Sequence, residues 1–93
     1  SDSRYKTNIK IIENAMDKIN NLRGVYYDYK DINIDDRRQI GMIAQEVEKI
    51  IPEAVYSTKD DIKSLSYEKI IAVLIEGMKE MSMRLHNIEE KLI

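Results

Sequence analysis

Several residues have side chains and spacings that could do chemistry. Asp31, Asn33 and Asp35 mimic the first three ligands of a calcium loop. The sixth place is Asp36 where the turn needs glycine, and the twelfth is Met42 where a bidentate glutamate is needed, so the loop is not a calcium site. Ser66-Tyr67-Glu68-Lys69 matches the S-x-x-K of penicillin-recognising enzymes, but the S-D-N and K-T-G elements that chemistry requires are missing. Ser66 is better read as a helix cap. His86 has no cysteine to join in metal binding and no serine arrangement to activate. The acid pairs Asp35/Asp36, Asp60/Asp61 and Glu89/Glu90 are neighbours in sequence and do not face each other on a helix or strand. Tyr26, Tyr27 and Tyr29 suit strand packing, with a binding surface as the alternative. The three glycines stand apart, so neither a phosphate loop nor a nucleophile elbow can be built. No metal site and no cofactor cradle follow from these residues.

The chain that must position such groups is 93 residues long, enough for one small domain. A core of that size needs reinforcement more often than a larger one does. Without cysteine there are no disulfides, and one histidine makes structural zinc a poor fit, so self-association is the expected route. Fifteen Lys plus Arg stand against seventeen Asp plus Glu, interspersed, for a net charge of −2. That balance argues against a nucleic-acid partner. No apolar run approaches the roughly 20 residues of a membrane span, and no signal-peptide pattern is present. Neither a membrane nor a nucleic-acid partner is expected.

Residues 7–22 place Ile9, Ile12, Met16, Ile19 and Leu22 at helical spacing, which predicts an amphipathic helix capped by Thr7 or Asn8 and ended by a left-handed Gly24. VYYDYK at 25–30 and RQIGMIA at 38–44 read as strands of a long-looped hairpin, with Gly41 marking a close backbone approach or a bulge. A short helix over 44–51 is stopped by Pro52. Two brief extended stretches then flank the Lys59-Asp60-Asp61 turn. From Ser66 onward Ile71, Leu74, Met78, Met81, Leu85, Ile88 and Leu92 recur at alternating intervals of three and four. That is a heptad seam on a helix about 40 Å long over 67–93, more than the remaining domain can cover, so it is expected to meet copies of itself. Its mixture of Met, Leu and Ile admits a trimer. The expected fold is α+β: a core of residues 1–66 with helices and short strands, then a helix over 67–93, part of the same domain, forming a parallel three-stranded coiled coil.

SDSRYKTNI at 1–9 resembles the S-D-x-R-x-K-x-N-I opening of the C-terminal intramolecular chaperone, or auto-processing, domain of phage tailspikes and tail fibres, the endosialidases among them. The likeness continues in order through VYYDYK, IGMIAQEVEKIIPEAV and SLSYEKIIAVLIEGMKEM. The resemblance implies a homotrimer that helps an upstream fibre or spike assemble and then cuts the peptide bond just before the motif's serine. Carried over, Ser1 is the nucleophile and Lys6 its general base. A serine hydroxyl needs a base to take its proton, and a lysine can serve only when burial or nearby cations lower its pKa. Arg4 and the trimer interface are expected to supply both effects, so cutting would wait for assembly. Asp2, Arg4 and Asn8 match the other fixed letters and are expected to support positioning; as plain structure they are a helix-proximal charge, a salt bridge and a cap.

The departures are Tyr5 in place of an aliphatic residue, and Gly77 with a Met-rich seam. A start at Ser1 fits a released product of the cut. The resemblance further implies synthesis in the cytoplasm of a bacterial host and release from the fibre on maturation. Nucleotide binding is left open, although no phosphate cradle is present. Two alternatives stand beside this reading: a non-enzymatic trimerisation or docking module, and a cellular membrane-tethered regulator released by the same chemistry.

Overall fold

A computed structural model describes residues 1–93. The chain opens on a 3-10 turn, Ser3–Tyr5, followed by helix α1 (Ala15–Asn20) and strands β1 (Val25–Tyr27) and β2 (Gln39–Gly41). Helix α2 (Ala44–Glu48), a second 3-10 turn (Pro52–Ala54), β3 (Val55–Ser57) and β4 (Lys63–Leu65) lead into the long helix α3, Tyr67–Lys91. The strands form two separate antiparallel hairpins, with Tyr26 opposite Ile40 in the first and Tyr56 opposite Ser64 in the second. The mixed α+β character and the long C-terminal helix are as expected from the sequence.

Ala15, Val47, Ile51, Ala54, Ile70 and Val73 form the whole buried hydrophobic core. It lies where α1, α2 and the second 3-10 turn meet the first half of α3. Ile70, Val73 and Gly77 turn one face of α3 inward. At Gly77 an added Cβ would fall on the end of the Ile19 side chain, so glycine lets α1 lie close against the long helix. Pro52 follows the tail of α2, whose last turn is completed by the Ile51 amide donating to the Val47 carbonyl at 2.7 Å. The second hairpin turns through Asp61 in the left-handed region, φ 58°. Lys63 reaches back from it to Asp61, Glu48 and Ser57 at 3.0–3.2 Å, tying hairpin to α2.

The helix expected over 7–22 is shorter at its front. It begins at Ala15, because Asn8 and Asn14 both take left-handed conformations at φ 54° and break the helical path. Neither Thr7 nor Asn8 is its cap. Ile12, Ile19 and Leu22 pack against the core, whereas Ile9 is 75% exposed. Gly24 is not left-handed; α1 ends through Asn21, whose amide donates to Ile19 and Lys18 carbonyls. The first strand stops at Tyr27 and the second is confined to three residues. Ser66 precedes α3 as expected, but its hydroxyl makes no capping bond.

Candidate functional site

Asp2 organises the opening motif. Extended backbone at Asp2 feeds the 3-10 turn, and its Oδ1 accepts from the Arg4 amide at 2.9 Å, capping the turn. The same carboxylate grips the Arg4 guanidinium in a fork, Nε to Oδ1 at 3.1 Å and Nη2 to Oδ2 at 2.9 Å. The Arg4 side chain, then its amide, hold the Asp2 carboxyl below the usual aspartate range, and Asp2 in turn raises Arg4. The Tyr5 and Lys6 amides close the turn on Asp2 and Ser3 carbonyls at 3.2 and 3.1 Å.

Ser1 and Lys6 therefore flank one tight turn, five residues apart, and both are exposed. The turn's hydrogen bonds join Asp2 to Arg4, Tyr5 to Asp2 and Lys6 to Ser3; none joins the Ser1 hydroxyl to the Lys6 amine. The Arg4 guanidinium is engaged by Asp2 through both Nε and Nη2. Asn8 is a left-handed turn residue, a conformation that asparagine tolerates better than most residues. The opening motif is one surface loop.

The expected seam lies far from that loop along the chain. Ile71, Leu74, Met78, Met81, Leu85, Ile88 and Leu92 are between 47% and 81% exposed, as the outward stripe of α3. The inward residues Ile70, Val73 and Gly77 lie on the adjoining face, and Leu74, Met78 and Met81 line a groove there with Met16 and Ile19 of α1. His86 faces solvent and pairs with Glu90 at 3.0 Å.

Two further features stand out, the second at the tyrosine cluster for which a binding surface is the alternative. The Asp2–Arg4 clamp recurs at Asp35–Arg37, with the same three bonds at 2.9–3.1 Å. The shared D-x-R spelling was the available signal. The other is a cleft of 390 Å³ lined by Tyr27, Tyr29 and Tyr67 together with Met42 and Leu65. Tyr27 and Tyr29 meet edge to face at 5.4 Å, and the Tyr67 hydroxyl accepts from the Met42 amide at 3.1 Å. Tyr67 comes from the first turn of α3, so its part in that lining depends on a contact between distant segments.

A protein family described as chaperone of endosialidase matches residues 1–56, which include the Asp2–Arg4 turn, α1, the first hairpin and α2. The chain belongs to that family. It is also 38% identical over 99 aligned residues to the long tail fiber protein Gp37 of Enterobacteria phage K3, and equally to that of Enterobacteria phage T2. Both alignments cover 100% of this chain but only 8% and 7% of those proteins. The Gp37 protein of Enterobacteria phage Ox2 is 40% identical over 90 residues, covering 88% of this chain and 36% of that protein. The chain thus spans less than a tenth of the length of the first two relatives. The family match ends at residue 56, inside β3, while the alignments to the K3 and T2 proteins run on through the sequence of β4 and α3.

Proposed function

We propose that this chain is the self-releasing assembly chaperone of a phage tail fibre, working as a homotrimer on the fibre portion that precedes it. The observation that carries the reading is the bare apolar stripe of α3, seven residues at heptad spacing of which every one is about half or more exposed. A patch of that size is hard to reconcile with a lone soluble chain. Three copies aligned in parallel would bury it and bring three chain starts into one particle, which suits a three-chain fibre.

In the proposed cut, Lys6 in its neutral form takes the proton of the Ser1 hydroxyl. Oγ attacks the carbonyl carbon of the bond before Ser1, and the tetrahedral intermediate collapses with cleavage of the C–N bond. The proton held by Lys6 passes to the departing nitrogen. Water then hydrolyses the resulting ester, leaving a carboxylate on the fibre and restoring the hydroxyl. A wet ammonium cannot begin this sequence, so Lys6 must lose its water in the assembled particle. Its exposure in a single chain supports a reaction that waits for assembly. The test is expression with the upstream fibre segment, followed by a denaturing gel. Cleavage at Ser1 that disappears in Ser1→Ala and Lys6→Ala, and in Leu85→Asp through loss of assembly, is the expected result. Normal cutting by a monomeric Leu85→Asp chain would refute the coupling.

A second reading, a trimerisation module without chemistry, is favoured by one fact: the opening turn is fully accounted for by Asp2 and Arg4, as its twin at Asp35–Arg37 is without any nucleophile. An uncut wild-type precursor would establish that reading in place of the first.

A further inference from the structure

The opening motif has little of its own to hold it. Residues 1–11 are exposed throughout, and the 3-10 turn buries nothing. Two left-handed asparagines, Asn8 and Asn14, bracket a stretch without regular structure. Ile12 rests against the core, but an apolar contact is non-directional and does not set the course of the backbone. The hydrogen bonds from the long helix come at Ala15 and Met16. Glu80 of α3 accepts from the Ala15 amide through Oε2 at 2.8 Å and from the Met16 amide through Oε1 at 3.3 Å. These are amides of the first turn of α1, which lack partners inside their own helix. Asn14, the residue that would ordinarily cap them, makes no side-chain capping bond. The carboxylate arrives from more than sixty residues further along the chain, and Met81, its immediate neighbour, belongs to the seam.

We infer that Glu80 is a positioning residue for self-cleavage: its two-amide grip anchors the segment carrying Ser1 and Lys6 to the long helix at Ala15 and Met16, so that closing the seam delivers the motif to one fixed place in the assembly. The inference rests on the self-cleavage reading above. Two charge-assisted hydrogen bonds to consecutive amides fix both the position and the direction of the chain. Displacing a reacting group by an ångström can slow a reaction about 100-fold, so loosening this junction should be felt at Ser1 although Glu80 touches no reacting atom.

The experiment uses the precursor with its upstream fibre segment and compares wild type with Glu80→Gln and Glu80→Ala. Glutamine keeps the shape but only one accepting oxygen. Three quantities are read: the mass of the assembly, the cutting rate of the assembled fraction, and hydrogen exchange at the Ala15 and Met16 amides. Expected are normal assembly with cutting slowed about 10- to 100-fold in Glu80→Ala, an intermediate rate in Glu80→Gln, and faster exchange at both amides in the same order. Assembled Glu80→Ala that cuts at the wild-type rate would overturn the inference. So would full rescue by glutamine, which would leave a role of shape alone, or failure of Glu80→Gln to assemble, which would make Glu80 an assembly residue. A wild type that stays uncut refutes the self-cleavage reading and removes the inference with it; the two cutting-rate outcomes before it arise only in a precursor that cuts.

Discussion

Asp2 and Asp35 each stand two places before an arginine, and each folds back on it with the same three hydrogen bonds. The device is local, although the spelling D-x-R alone does not suffice, since Arg38, two places after Asp36, bonds Asp28 at 3.0 Å instead. Both clamp carboxyls are held below the usual aspartate value by the arginine side chain first. A lowered folded pKa means the clamp contributes fully above the ordinary value of 3.8 and is lost as pH falls through the folded one. An NMR titration should therefore place the Asp2 midpoint below 3.8, and Arg4→Ala should return it to the ordinary range; an unmoved midpoint would show that the clamp does not persist in solution. Asn8 makes a different demand, for a residue that accepts φ 54°. Asn8→Gly should cut the precursor as wild type does, whereas Asn8→Val, strained by about 1–2 kcal/mol there, should slow it on the same gel. Equal loss in both variants would assign the asparagine side chain a chemical part instead.

At the scale of elements, two contacts at Tyr67 tie the end of the first hairpin to α3. A Cβ at Gly41 would lie 2.6 Å from the Tyr67 hydroxyl, which is itself bonded to the neighbouring Met42 amide. Gly41→Ala should cost about 1–3 kcal/mol through that clash, and Tyr67→Phe about 0.5–1.5 kcal/mol through the lost hydrogen bond, both measurable by urea unfolding. If Gly41→Ala costs nothing in a Tyr67→Phe background, the hydroxyl is the obstacle, as the distance implies. Gly41 announced itself in the sequence as a close approach; the atom it makes room for did not, because Tyr67 lies 26 residues away. The front of α1 was misread for a related reason. Apolar spacing from Ile9 to Leu22 fits a helix, but periodicity carries no information about two asparagines turning left-handed, nor about a carboxylate from α3 supplying the cap.

For the whole molecule the balance between inside and outside is the governing fact. Only seven of 93 residues are buried, while twenty-two large apolar residues are exposed, the seam among them. The molecule extends 58 Å along its longest axis and carries much of α3 beyond the core. Such a chain has too little interior to be comfortable alone. Light scattering of the isolated chain should give three times its 10.9 kDa mass, and Leu85→Asp should reduce it to the single-chain value with a loss of helix signal. A wild-type protein that stays monomeric at high concentration would remove the physical basis for assembly-triggered cutting.

The sequence by itself determined what repeats or is spelled locally: the α+β class, the first hairpin, the long helix with its apolar heptad stripe, and the opening motif that resembles the chaperone domain. Each of these depends on neighbours within a few residues or on a period that a helix or strand imposes. The tertiary structure alone decided that the motif is an exposed loop, that Arg4 belongs to Asp2, and that Glu80 caps a helix sixty-odd residues before it. Those outcomes depend on which distant groups packing brings within hydrogen-bonding distance, and no local pattern records that.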